Sequence, residues 1–391
     1  MREKWLFWVI FGIGFILLFF IVISRVFDVD FLARWLAVPD QLGPFSEPDL
    51  EQEALLQDNE AAQISIIAQD LEVPWGIVFL PDDSSILLTE KPGRVRLVSD
   101  GNLEPEPIAV FDVETTGEGG LLGIALHPDF ANNNHVYLYY TYRGNNSQIL
   151  NRVVRMTYQN NQLQNEQIII DNIPGATNHN GGRIKFGPDG YLYVAVGDAG
   201  NSSLAQDLGS LAGKILRVTD EGKAPLDNPF GNLVYSYGHR NPQGLAWDDE
   251  GQLWATEHGR SGVLSGLDEL NLIEGGNNYG WPLIQGDKEQ KNMKTPVIHS
   301  GPSITWAPAG LTFWHGSLFF GGLRGQTLYE TLIGGEEVAL REHFQEEFGR
   351  IREVILGPDD FLYVSTSNRD GRGNPLLGDD KIIKINFKSF D

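Results

Sequence analysis

Cysteine is absent from this 391-residue chain, which excludes disulfides, a thiolate nucleophile and any cysteine-held zinc or iron–sulfur centre. Basic residues are scarce: 29 Lys and Arg stand against 52 Asp and Glu, for a formal net charge of −23. So acidic a protein repels phosphate backbones, and no nucleic-acid partner is expected. Familiar catalytic signatures are missing too. The chain has no Gly-Lys-Ser/Thr phosphate loop, no Gly-x-Ser-x-Gly nucleophile elbow, no His-Glu-x-x-His zinc helix and no dinucleotide fingerprint after a strand. Those absences argue against a nicotinamide enzyme.

What is present divides the chain into three. Trp5 to Ile23 is a run of 19 uncharged residues, which as a helix spans about 28 Å, close to the hydrocarbon thickness of a bilayer. Arg2 and Lys4 precede it and only Arg25 follows closely, so the positive-inside tendency puts the N-terminus in the cytoplasm and exports the remainder. A cleaved signal peptide is the alternative, but Ser24-Arg25-Val26-Phe27 offers no small-residue cleavage site. Residues 1–24 are therefore expected to be a single-pass anchor in the cell membrane. Between Arg34 and Lys91 there is no Lys or Arg, while Asp40, Glu47, Asp49, Glu51, Glu53, Asp58 and Glu60 gather beside Pro39, Pro44 and Pro48. Residues 25–63 read as a flexible acidic linker.

From Ile64 onward, short β-branched and aromatic runs alternate with Gly, Pro, Asp and Asn, without a helical period. An apolar run, a Pro-Asp-Gly type of turn, a second apolar run and a later strand recur. The copies begin at Phe79, His127, Phe186, Trp247, Phe313 and Leu356. Six copies over residues 64–391 predict an all-β six-bladed β-propeller preceded by one N-terminal transmembrane helix. A sandwich of the same strands is the alternative. The spacing between copies, roughly forty to sixty-five residues, exceeds the needs of a bare blade and leaves long inserted loops, where function usually sits.

The third copy fixes a geometry. If Phe186 and Tyr191 face each other across the turn Gly187 to Gly190, then His179, eight residues before Gly187, meets Asp198, eight after Gly190. A carboxylate beside an imidazole holds one tautomer and raises its basicity, as a general base requires. In the fourth copy the same count brings Arg240 and Gly259 to that mouth. Arg350 and Arg352 open the strand of the sixth copy, and Arg324 follows a strand of the fifth. Arginines gathered on an acidic protein point to an anionic ligand with several carboxylates. Each residue also has a plainer role: His179 as a satisfied core histidine, each arginine as a surface ion pair. Asp268 and Glu269, beside the carbonyl-rich stretch Gly275 to Gly280, suit either Ca²⁺ or simple solvation.

Five strings occur in family order: Gly119-Gly120-Leu121-Leu122-Gly123, Asn178-His179-Asn180-Gly181-Gly182-Arg183, Gly238-His239-Arg240-Asn241-Pro242-Gln243-Gly244, Asp268-Glu269-Leu270-Asn271 with Asn278-Tyr279-Gly280-Trp281-Pro282, and Gly349-Arg350-Ile351-Arg352. On these the chain, from about Val73 to Phe387, resembles the soluble glucose/sorbosone and aldose sugar dehydrogenases that use pyrroloquinoline quinone (PQQ). The resemblance implies a quinone over the propeller axis with a Ca²⁺ ion on it, and oxidation of aldose sugars at C1 to lactones. It further implies that electrons pass to a membrane quinone or carrier protein. By position it makes His179 the base, Asp198 its orienting partner and Arg240 the stabiliser of charge on the quinone oxygen. Glu118, Asn178, Arg240, Asn241, Arg324, Arg350 and Arg352 would line the cofactor. The carbonyls of Gly259 and Arg260, with Asp268 nearby, would hold its Ca²⁺, and Glu269 and Tyr279 match a second, structural Ca²⁺ site.

Four positions depart from the family pattern. Glu118 stands where Gln is frequent, Asn178 where Asp commonly precedes the His, Arg324 where Lys is usual and Arg260 where Pro follows the Gly. Glu118 matters most, because a carboxylate facing the carboxylates of the quinone repels them unless it is protonated or paired. Two competing functions remain open on sequence grounds. One is a Ca²⁺-dependent propeller lactone hydrolase; the other is a non-catalytic propeller that displays a sugar- or protein-binding face.

Overall fold

The computed structural model describes residues 64–82, 84–261, 265–333 and 338–387. The expected membrane span and acidic linker lie outside them. Among the described residues no helix is long and apolar enough to cross a membrane.

The described residues form six antiparallel sheets, one for each copy of the repeat. Their innermost strands are Pro74–Phe79, Leu121–Leu126, Ile184–Phe186, Pro242–Trp247, Pro308–Trp314 and Ile351–Leu356, in blades one to six. Inner strands of neighbouring blades pack together, except that Pro242–Trp247 of the fourth meets Leu192–Val196, the second strand of the third; the sixth returns to the first, so the sheets close a ring and the sandwich alternative falls. The segment Ile64–Ala68 completes the sixth blade by pairing with Ile382–Ile385, which ties the start of the domain to its end. Asp380 reinforces the seam: its backbone exchanges two hydrogen bonds with Leu71, and its carboxylate accepts the Val73 N–H at 3.1 Å.

Burial follows from the repeat. A blade cannot cover both of its faces alone, so apolar side chains of neighbouring sheets mesh into a separate core cluster at each of the six interfaces. Hydroxyls on second strands bridge blades at the axis. Thr89 donates to the Leu122 carbonyl (2.5 Å), Thr256 to that of Ala309 (2.6 Å) and Ser365 to that of Pro74 (3.0 Å).

The inner strands crowd the axis, and at one level five of the six repeats carry glycine: Gly76, Gly123, Gly182, Gly244 and Gly310. A Cβ on Gly123 would lie 2.2 Å from the Gly182 carbonyl oxygen, and one on Gly244 would lie 2.4 Å from that of Ala309. Close approach of backbones is what glycine permits there. The sixth repeat puts Glu353 at this level, and its carboxylate makes a buried ion pair with Arg183.

Candidate active site

The mouth of the propeller lies at the N-terminal ends of the inner strands, opposite the Pro-Asp-Gly turns. In the third blade the ladder pairs Phe186 with Leu192, not with Tyr191, so the hairpin register differs by one residue from expectation. The turn is longer because the Gly187 N–H bonds to the Tyr191 carbonyl. On an ideal ladder that slip would turn His179 away from Asp198. Left-handed backbone at His179 (φ 57°), Gly181 (62°) and Gly182 (109°) turns it back, and His179 Nδ1 lies 2.7 Å from Asp198 Oδ1. The pair was expected, but the route to it is irregular.

Asp198 is almost wholly buried, and its second oxygen accepts the indole N–H of Trp281 at 2.9 Å. Burial pushes this carboxyl up, but the bonds from His179, Trp281 and the Gly200 amide outweigh it and hold it below the usual carboxylate range. It stays ionised. The Asp198 N–H bonds to the Arg240 carbonyl (2.7 Å), so His179 and Arg240 share one mouth. The Arg240 guanidinium sits 5.3 Å from the Trp281 ring centre and donates to Ser261 Oγ (2.7 Å) and the His258 carbonyl (3.3 Å). Its backbone N–H is gripped by Glu257, whose other oxygen meets His239 Nδ1 at 2.8 Å.

A cleft opens at this mouth. Glu118 and Arg352 line it, and so do Lys91, His258, Asp370 and Arg372, which sequence reasoning missed. Arg350 donates to Asp370 Oδ2 (2.7 Å) and to the Leu323 carbonyl (2.8 Å), and Arg352 to Ser367 Oγ (3.0 Å), with Asp370 at 3.5 Å. The two arginines thus converge on a single buried carboxylate. Burial lowers Arg352 to about 10, still a cation at neutral pH. Asn241 Oδ1 accepts the Gly181 N–H (3.0 Å). Arg324 is exposed on the rim with its guanidinium on Ser265 Oγ (3.2 Å), and Asn178 packs beside Gly200. Neither lines the cleft.

Glu118 is not isolated. Its Oε2 accepts the His179 backbone N–H at 2.8 Å, and its Oε1 accepts both terminal nitrogens of Arg372 at 3.2 Å. Burial raises its pKa, but His258, the His179 amide and Arg372 together bring it below the usual range. It is a paired anion. Burial drives the His258 imidazole down to about 3, so it is neutral. Around the cleft, His258 Nε2, Asn241 Nδ2 and Gln243 Oε1 are buried without a protein partner. Orphaned polar atoms beside cationic side chains suit a polar, anionic ligand such as a quinone carboxylate.

Among the described residues no group of three or more His, Asp and Glu side chains is arranged to hold a metal. Asp268 commits both oxygens to backbone N–H groups, those of Gly259 (2.8 Å) and Ala307 (2.9 Å), and so braces the turn that carries Gly259 and Arg260. Glu269 faces Glu257 across a ladder. Burial and then the Glu257 charge push it up to about 8, and Asn271 Oδ1 nearby is unpartnered. Tyr279 stacks on His239, ring centres 4.8 Å apart, next to the same carboxylates. Two crowded carboxylates and a spare amide oxygen are donors of the kind Ca²⁺ takes, although the oxygens of Glu269 already accept the Gly286 N–H and Asn271 Nδ2.

Fold and site together define a six-bladed propeller with an imidazole–carboxylate pair and an anion-accepting cleft at one mouth. The sequence profile of the glucose/sorbosone dehydrogenase family matches residues 71–378, and the chain belongs to that family. It is 33% identical to an aldose sugar dehydrogenase of Escherichia coli over 340 residues, 79% of this chain and 91% of that one. A glucose dehydrogenase-like oxidoreductase of Thermus thermophilus superposes with a TM-score of 0.78 at 43% identity, covering 83% of this chain and 99% of the other. The PQQ-bound aldose sugar dehydrogenase of Streptomyces coelicolor gives 0.76 at 38% identity, covering 82% and 97%.

Proposed function

We propose that this protein is a PQQ-dependent dehydrogenase that oxidises aldose sugars at C1 to lactones. The observation that carries the reading is the contact of 2.7 Å between His179 Nδ1 and Asp198 Oδ1, set beside Arg240 and a cleft lined by cations. When bound, the quinone supplies a two-electron oxidant for a C–H bond. Asp198, ionised, accepts the Nδ1–H of His179 and leaves Nε2 as the basic nitrogen, which takes the proton of the sugar C1 hydroxyl. Arg240, steadied by Trp281 and Glu257, holds positive charge where negative charge develops. Arg350, Arg352 and Asn241 would hold the carboxylates and carbonyls of the cofactor, with Glu118 in the cleft beside them and Asn178 and Arg324 outside it. Carbonyls of Gly259 and Arg260, on the turn braced by Asp268, would hold its Ca²⁺, and Glu269 and Tyr279 would serve a second.

Residues 1–24 anchor the chain in the cell membrane with the propeller on the extracytoplasmic side, and residues 25–63 tether it. Electrons then pass to a membrane quinone or a carrier protein. The test is sugar-dependent dye reduction by the full-length protein, with PQQ and Ca²⁺ added together and separately. Activity that needs both and disappears in His179→Ala supports the reading. Lactone hydrolysis with Ca²⁺ alone replaces it with the hydrolase, and neither activity leaves a binding propeller.

A further inference from the structure

Glu118 places a carboxylate in a cleft read above as a site for a polycarboxylate, and it cannot simply swing out. Its Oε2 holds the backbone N–H of His179, a residue kept at φ 57°, where a non-glycine backbone is strained. Its Oε1 meets Arg372, 254 positions along the chain, in a two-pronged contact. Arg372 sits in the loop after the second strand of the sixth blade. Asp370 Oδ1 shapes that loop by accepting the Arg372 backbone N–H (2.9 Å), while Asp370 Oδ2 takes Arg350. One loop therefore delivers a carboxylate to the arginines of blade six and a guanidinium to Glu118.

Across the cleft three cations, Lys91, Arg352 and Arg372, face two carboxylates, Glu118 and Asp370. Asp370 is already matched by Arg350 and Arg352, and Arg372 is the cation that matches Glu118. We infer that Glu118 and Arg372 form a charge-balancing clasp across the mouth, in which Arg372 cancels the Glu118 carboxylate, which would otherwise repel an anionic quinone, while Glu118 keeps its grip on the base. This inference rests on the quinone reading. It makes Arg372 a determinant of cofactor affinity through Glu118.

PQQ binding to the full-length apoprotein in Ca²⁺, followed by tryptophan-fluorescence quenching, tests the clasp. Arg372→Ala leaves Glu118 uncompensated and binds about tenfold more weakly. Glu118→Gln retains an acceptor for the His179 N–H and binds at least as tightly as the unmodified protein. The double variant recovers most of what Arg372→Ala lost. Circular dichroism checks folding, and Arg372→Gln replaces the alanine variant if that one is unfolded. Binding by Arg372→Ala equal to that of the unmodified protein overturns the clasp, and so does a double variant as weak as Arg372→Ala. An unmodified protein that does not bind PQQ takes down the quinone reading and the clasp together; binding with an additive cycle takes down the clasp alone.

Discussion

The two ends of the propeller axis are built by the same six inner strands and are chemically unlike. At the mouth, five inner strands carry a register shift near their starts: between Pro74 and Gly76, Leu121 and Ile124, Pro242 and Gly244, Pro308 and Leu311, and Ile351 and Val354. The remaining inner strand, that of the third blade, enters a regular ladder only at Ile184. Bulges re-aim side chains, and here they release polar residues from strict alternation so that several point into one cleft. Below that level the ladders are regular. They surround a hollow lined by aliphatic residues such as Ile77, Ile124, Leu245 and Val354, with Arg183, Lys185 and Glu353 as its charged members. Irregular backbone marks the end that does chemistry, and regular backbone the end that holds the ring together.

Substitutions at the two ends should separate activity from stability. At the mouth, His179→Ala removes the base and is expected to cut kcat by about 10²- to 10⁴-fold, with the unfolding midpoint in urea shifted only slightly, since alanine carries the same left-handed strain. In the hollow below the cleft, Glu353→Ala strands the Arg183 charge and should cost about 3–5 kcal/mol of stability in the same titration. PQQ affinity per folded molecule would persist. If Glu353→Ala abolished cofactor binding in protein that remains folded, the division between the ends would fail.

Smaller changes sharpen the contrast. Trp281→Phe keeps a ring beneath Arg240 but withdraws the N–H from Asp198 Oδ2, and kcat should fall about tenfold. Because that bond helps hold the Asp198 carboxyl down, its loss lets the pKa rise, and the acid limb of the pH–rate profile moves to higher pH. An acid limb that stays in place would leave Trp281 as packing only. The smallest effect concerns Asp198 and acid stability. Its folded pKa lies below the unfolded value, so its contribution is complete above the ordinary carboxylate value of 3.8 and is lost as pH falls through the folded pKa. The stability gap between the unmodified protein and Asp198→Asn should therefore narrow only below about pH 4, as acid titration of unfolding would record.

Much of this site was legible because its residues lie near repeated turns. Counting from the Gly187 turn found His179 and Asp198 although the assumed register was one residue off, since the left-handed stretch Gly181-Gly182 compensated. Counting from the Asp248 turn reached Arg240 and Gly259 because the bulge at Pro242 and Gly244 absorbs a residue. Glu353 had a signal that went unread, standing where the other five repeats have glycine. Lys91, Asp370 and Arg372 had none, as each reaches the cleft from a loop outside the repeat.

The amino-acid sequence by itself determined the number of blades, the turn at the foot of each and the residues beside those turns, because strand alternation and turn chemistry act over a few residues. Only ring closure decided that Arg183 meets Glu353, 170 positions away, and that Glu118 meets Arg372. Such partners are chosen by the curvature accumulated over six packed sheets, which no local stretch of chain encodes.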